Sequence, residues 1–328
     1  MLIAGDVGGT KTDLAVFSRE AGPLAPIAET KVHSADYSSL EDIVKEFLAN
    51  TQLQVNRACF AVAGPVIEGR VKTTNLPWVI EENSLAHELN LNKDHVNVIN
   101  DLEAIARAVP ILRPNDAVAI NNGKAIERGP IAVIAPGTGL GESFLTWDGS
   151  RYHAHSSEGG HSDFAPCDER EVRLLEYLFT KFDHVSYERV CSGVGIPNLY
   201  RFLRDVEGIA EDPEVGKQVA AAGDPSFVII DQAVDPANQS KLCAATIDLF
   251  ASILASEAGN LAVKVLATGG VYLAGGASVH CLEAIKKPEF IWRFKQKGRL
   301  TDLLECIPVH VVVSPAGLAG AAAYGLEF

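Results

Sequence analysis

The chain has 328 residues, long for one domain and comfortable for two, with 47% hydrophobic and 21% charged residues. That composition suits a globular protein with a substantial core and excludes a disordered one. A formal net charge of −14 argues against a general nucleic-acid or membrane-surface binder, which needs a basic face, yet permits phosphate ligands held by backbone N–H groups and metal ions.

The N-terminal MLIAGDVGGTKTD has no basic start, and its apolar run breaks at Asp6, unlike a signal peptide. LIAGDV and DLAVF predict two antiparallel strands joined by the turn-rich GGTKT. IAETKVH predicts a third strand, and SLEDIVKEFLAN has helical apolar spacing behind a serine cap. RACFAVAG and HVNVI predict buried strands on either side of a helix at ENSLAHELN. PIAVIAPGTGLGESFLTW then repeats the opening pattern of apolar strand, Gly/Thr turn and second strand, which suggests two related halves. Helices follow at roughly 168–182 and 240–268, then strands GVYLAGG and PVHVVV and a terminal helix AGLAGAAAYGL. Residues 205–240, rich in Pro, Gly and acids, read as a surface excursion. Strands alternating with helices imply an α/β fold with mixed sheets. No run of eighteen apolar residues occurs, so no membrane span is expected. Six scattered cysteines without a C-x-x-C fit reduced thiols and a cytoplasmic location.

Three glycine turns carry candidate ligand chemistry. GDVGGT at 5–10 ends a strand in Asp6 and follows with glycines that let a phosphate approach the backbone, while Asp6 offers a carboxylate to a divalent cation. APGTGLG at 135–141 repeats the device, and LAGGAS at 273–278 offers glycines against which a flat base could pack. Each is equally an ordinary turn when taken alone. No G-x-x-x-x-G-K-[ST] is present, and GTGLGE leads into a strand, against a dinucleotide fold. NVIND at 97–101 puts Asn100 in position to cap the next helix, with Glu103 three residues on as in a capping box, and places Asp101 at a strand's C-terminal end.

The stretch HAHSSEGGHSDFAP at 153–166 has the residue types of a metal site. It lacks cysteine pairs and an H-E-x-x-H helix, and the glycines at 159–160 break any helix that would align Glu158 with His161. A polar ligand-lined loop is preferred over zinc, with His153 and His155 as strand-face residues and Glu158 and His161 as the working pair.

Together, GDVGGTKTDLAVF, AVAGPV, TTNLPW, VINDLEAIA, GTGLG, EGGHSDFAP, HVSYERVCSG, NLYR and LAGG resemble, in order and over nearly the whole chain, the bacterial-type glucokinases of the sugar-kinase/actin/Hsp70 ATPase superfamily. EGGHSDFAP followed by HVSYERVCSG is the specific part, and the cysteine-rich zinc motif of the ROK branch is missing. The resemblance implies a two-domain actin-like ATPase (ribonuclease H-like) α/β fold with an interdomain cleft. The small domain would be 1–103 plus 314–328 and the large one 104–313. The implied activity is ATP-dependent phosphorylation of the 6-hydroxyl of glucose, with another hexose or amino sugar, or a silent sugar sensor, as alternatives.

By the same resemblance Asp101 is the general base, and Asn100, Asp101, Glu158, His161 and Glu188 bind the sugar. Asp6 positions Mg²⁺; Gly8, Gly9, Thr10, Lys11, Gly137, Thr138 and Gly139 hold the phosphates of ATP; Gly275 and Gly276 lie near the adenosine. A homodimer is expected, with glucose and ATP as its ligands. Asn75 of TTNLPW is a further candidate for lining the sugar side, and Glu142 receives no role, being taken as a rim or surface charge.

Overall fold

The computed structural model describes residues 1–73, 76–234 and 240–327; Asn75 lies outside them. The chain divides into two compact units. The first comprises residues 1–115, 148–156 and 314–328, the second 116–147 and 157–313.

In the first unit Leu2–Val7 and Lys11–Phe17 pair antiparallel across the glycine turn, and the sheet runs in the order Ala28–His33, Lys11–Phe17, Leu2–Val7, Arg57–Val62, Val96–Asn100. The last three strands are parallel. Leu2–Val7 is buried almost throughout, as expected of a central strand covered on both faces. One face packs under helices Leu40–Thr51 and Glu82–Leu89 through Ile3, Leu14, Ile43, Val44, Phe60 and Leu85. The other packs under helix Asp101–Ala108 and the C-terminal helix Gly317–Glu327 through Leu2, Ala15, Cys59, Ala104 and Ala321. Ser39 caps its helix by accepting from the Asp42 N–H at 3.2 Å. A boundary at residue 103 would cut helix Asp101–Ala108, whose inner face is packed on the C-terminal helix, so the first unit continues to Asn115.

The second unit repeats the arrangement. Ile131–Pro136 and Leu140–Trp147 form an antiparallel hairpin, and Gly270–Leu273 and Val309–Val312 extend the sheet in parallel, with Ala117–Ala119 beyond them. The hairpin-then-parallel order of the first unit therefore recurs, which gives the suspected internal similarity a topological basis. The helix Lys241–Val265 is long and apolar enough to cross a membrane, but most of it is buried as the core helix of this unit.

The described residues of the 205–240 stretch, 205–234 and 240, differ from the expectation of a surface excursion. Asp212 caps helix Pro213–Ala221, and helix Pro225–Val234 buries Ile229, Ile230 and Ala233 against the long core helix. Pro213 and Pro225 stand at helix starts, where the missing N–H costs nothing, so composition alone misled.

Candidate active site

In the first unit the side chains converge on the C-terminal ends of parallel strands, where open α/β sheets present ligands. Asp6 lies one residue before the end of its strand, paired across the hairpin with Asp13, which is held by Lys31 at 2.8 Å. The turn that follows is closed by the Gly8 N–H donating to the Lys11 carbonyl at 2.9 Å. Ser34 ties it from below: its Oγ donates to the Gly8 carbonyl at 2.8 Å, and its N–H donates to the Thr10 carbonyl at 3.0 Å. Thr10 and Lys11 remain exposed.

Asn100 is the helix N-cap. Its Oδ1 accepts from the N–H groups of Leu102 at 2.9 Å and Glu103 at 3.3 Å, and its Nδ2 donates to the Gly64 carbonyl at 3.0 Å. Glu103 does not complete the capping box, because its carboxylate is taken by Arg107 at 3.0 Å. Asp101 is the first residue of the helix, and its Oδ1 also accepts from the Leu102 N–H, at 2.9 Å. Burial raises its pKa, with the Leu102 N–H and the Asn100 amide pulling the other way. The Asp6 carboxyl is pushed up to about 6, first by burial and then by the charges of Asp101 and Asp13.

Among the described residues no lysine or arginine forms an ion pair with Asp6 or Asp101, and no cluster of three or more His, Cys, Asp or Glu could hold a metal by itself. A pair of mutually repelling, half-buried carboxylates suits a divalent cation that takes one protein carboxylate and draws its remaining oxygens from phosphates and water. Gly317, the first residue of the C-terminal helix, lies against the Asp6 carboxylate with no room for a Cβ. Sequence reading missed both Gly317 and Ser34, since nothing in local spacing connects positions so far apart.

In the second unit the turn at Gly137–Gly139 is clamped from a separate segment. The Gly193 N–H donates to the Gly137 carbonyl at 2.8 Å and the Val194 N–H to the Thr138 carbonyl at 3.2 Å. Glu188 completes the support, its Oε2 accepting from the Leu140 N–H at 3.0 Å and abutting Gly139. The motif HVSYERVCSG thus braces the Gly/Thr turn as well as carrying Glu188.

Glu158 and His161 flank a single turn at Gly159–His161, where the His161 N–H donates to the Glu158 carbonyl at 3.0 Å. Gly160 fits directly over the Leu140 carbonyl. The next residues run beside the Glu188 segment: the Tyr187 N–H donates to the Ser162 carbonyl at 3.0 Å, and Asp163 bridges Ser186. Both side chains are open to solvent, with His161 61% and Glu158 83% exposed and 3.9 Å apart. His161 and Glu188 also line one depression of about 410 Å³ with Lys181, His184 and Arg189. The three sugar-site candidates of this unit are therefore brought together. His153 sits on a strand and pairs with Asp148 at 2.6 Å. Gly275, with φ +78°, opens a helix against the Pro136 carbonyl, so it adjoins the same strand end as Gly137, and Gly276 beside it is open. Glu142 departs from expectation: it is 1% exposed, a buried carboxylate and not a rim charge.

A family profile described as Glucokinase matches residues 3–327. The glucokinase of Nostoc punctiforme is 40% identical over 98% of each chain, and that of Yersinia pestis (strain Pestoides F) is 36% identical over 98% of this chain and 95% of its own. The crystal structure of a glucokinase from an Antarctic psychrotroph superimposes with a TM-score of 0.85 at 31% identity, covering all of this chain and 99% of its own.

Proposed function

The chain belongs to the glucokinase family, so it is an ATP-dependent kinase of glucose on the two-domain actin-like fold, and on that premise we propose which residues do the work. Asp101 acts as general base toward the 6-hydroxyl of glucose. The observation that carries this is its location: a buried carboxylate at the junction of a parallel strand and a helix start, fixed on one oxygen by a backbone N–H. Burial raises its basicity above that of a surface aspartate, which favours proton abstraction.

Asn100, Glu158, His161 and Glu188 satisfy the sugar's other hydroxyls. A neutral polyol is selected by fixed polar partners, and a sugar lacking one hydroxyl leaves a protein group unpaired. Gly8 to Lys11 and Gly137 to Gly139 receive phosphate oxygens through backbone N–H groups, and Gly275 and Gly276 lie by the adenosine. Asp6 would hold Mg²⁺, which when bound neutralises charge on the β- and γ-phosphates. Phosphoryl transfer depends mainly on positioning and charge neutralisation, in keeping with one protonic residue among several rigid turns. A cytoplasmic homodimer completes the proposal.

A coupled assay of glucose 6-phosphate formation, run across a panel of hexoses, amino sugars and phosphoryl donors and scored by kcat/KM, tests it. Glucose with ATP and Mg²⁺ should rank first. A preference for another hexose would reassign the substrate, and a light-scattering mass of one chain would remove the dimer.

A further inference from the structure

Sugar binding and phosphoryl transfer leave unused an aromatic pair near the glycine turns of the second unit. Phe227 stands on helix Pro225–Val234 and is 54% exposed. That helix is anchored through its other side. Ile229 and Ile230 pack into the core of the unit, and Asp224 Oδ1 accepts from the Ser226 N–H at 2.9 Å and from the Ser226 hydroxyl at 2.6 Å. Burying Ser226, Ile229 and Ile230 turns Phe227 outward, where its ring meets the imidazole of His280 edge to face. The centroids are 5.9 Å apart and the planes cross at 84°.

His280 closes the short helix Gly275–His280, which buries Ala277 and Ser278 and leaves Gly276, Val279 and His280 exposed. A Cβ on Gly276 would have the His280 imidazole as its nearest neighbour, at 3.9 Å. Gly275 lies against the carbonyl of Pro136, the residue before the Gly137–Gly139 turn. A continuous path within one unit therefore leads from that turn, past Gly275 and Gly276, to His280 and Phe227. A single exposed aromatic side chain needs no explanation, but two rings set against each other at the end of such a path do.

We propose that Phe227 and His280 form an aromatic corner that receives the adenine ring of ATP and makes the enzyme prefer purine over pyrimidine donors. The inference rests on the adenosine lying by Gly275 and Gly276. Two rings at nearly a right angle let one base lie flat on the face of the first and meet the edge of the second, both favourable arrangements of π-systems. Stacking reads the area of the π-face more than a pattern of hydrogen-bond donors and acceptors. A bicyclic purine covers more of a ring than a pyrimidine does, so ring size becomes the discriminating feature. The corner touches the base and not the reacting atoms, so it acts on donor binding and leaves the chemical step alone.

Steady-state kinetics in the coupled assay test the corner. Phe227→Ala and His280→Ala should each raise ATP KM by about fivefold or more, with kcat and glucose KM within about twofold of wild type. Phe227→Trp, which keeps a ring, should hold ATP KM near the wild-type value. Wild type should use ATP better than UTP or CTP by about tenfold or more in kcat/KM, and Phe227→Ala should narrow that ratio to about threefold or less. Phe179→Ala removes a comparably exposed phenylalanine from the end of helix Glu169–Phe179 and should leave ATP KM unchanged. Unchanged ATP KM in both corner variants, or a donor ratio that survives Phe227→Ala, overturns the inference. Gly276→Val separates the layers, because its side chain enters open space in the free protein and lies in the way of the adenosine. If it leaves ATP KM unchanged, the placement of the adenosine fails; if it raises ATP KM while Phe227→Ala and His280→Ala do not, the corner alone is refuted.

Discussion

Replacing Gly320 with alanine sets two effects of known size against each other. Gly320 sits inside the C-terminal helix, and there alanine ordinarily stabilises by about 0.8–1 kcal/mol through backbone entropy. Here the new Cβ would be driven into the carbonyl oxygen of Ala104, with the Ala104 Cα at 3.0 Å behind it. That obstacle is the backbone of helix Asp101–Ala108, so relief requires the whole helix to shift, and overpacking of this kind costs about 1–3 kcal/mol. The upper part of that range applies, giving a net loss of about 1–2 kcal/mol and a fall in Tm of roughly 3–6 °C. Because Ala104 is one turn from Asp101, the proposed base, its displacement should also lower kcat by on the order of tenfold. Gly216→Ala is the matched control: its Cβ would meet the Glu211 side chain at 2.7 Å and not a helix backbone, and should leave kcat unchanged and lower Tm less than Gly320→Ala does. Thermal melts followed by circular dichroism, with kcat from the coupled assay, decide it. A Gly320→Ala protein as stable and active as wild type would refute the close helix crossing.

Asp101→Asn should lower kcat by about 10²-fold or more while glucose KM moves only a few-fold, as expected for a lost general base; a near-normal kcat would reassign that role. Asp6 carries a folded-state pKa near 6 against an ordinary 3.8, so it binds a proton more readily in the native than in the unfolded state between those values. Stability from this group is complete below about pH 4 and is lost as pH rises through about 6, and Asp6→Asn should therefore stabilise the magnesium-free protein at pH 7 by at most about 3 kcal/mol. The same protonation should raise the half-saturating Mg²⁺ concentration of the wild-type enzyme as pH falls below about 6, and a pH-independent Mg²⁺ requirement would count against Asp6 as the ligand. Asn100→Ala removes the two cap hydrogen bonds and should cost about 1 kcal/mol in chemical denaturation, with glucose KM raised as well; a loss confined to stability would take Asn100 out of the sugar site.

Much of the site was legible because it is local. Asp6 and its turn, Asn100 with its cap, and the Glu158–His161 turn are each defined by a few consecutive residues whose chemistry and backbone needs coincide. The glycine at 160 illustrates this: the turn must pass directly over the Leu140 carbonyl, and glycine is the residue that permits it. The excursion at 205–240 was misread for the complementary reason, since proline and glycine content does not distinguish a loop from two short helices that begin at proline. Glu142 was misread because a carboxylate is exposed by default, and nothing in GTGLGESF announces that this one is enclosed by the fold.

Sequence by itself determined the main strands, their glycine turns, the Ser39 and Asn100 caps and the family, because hydrophobic period, turn chemistry and an ordered set of motifs are properties of short segments. Tertiary structure alone decided that Ser34 closes the first turn, that the Gly193 segment clamps the second, that Gly317 meets Asp6, and that Glu142 is enclosed. Each of these joins residues far apart in the chain through packing of whole elements, and the burial that shifts the carboxyl groups of Asp6, Asp101 and Glu142 exists only once those elements have closed around them.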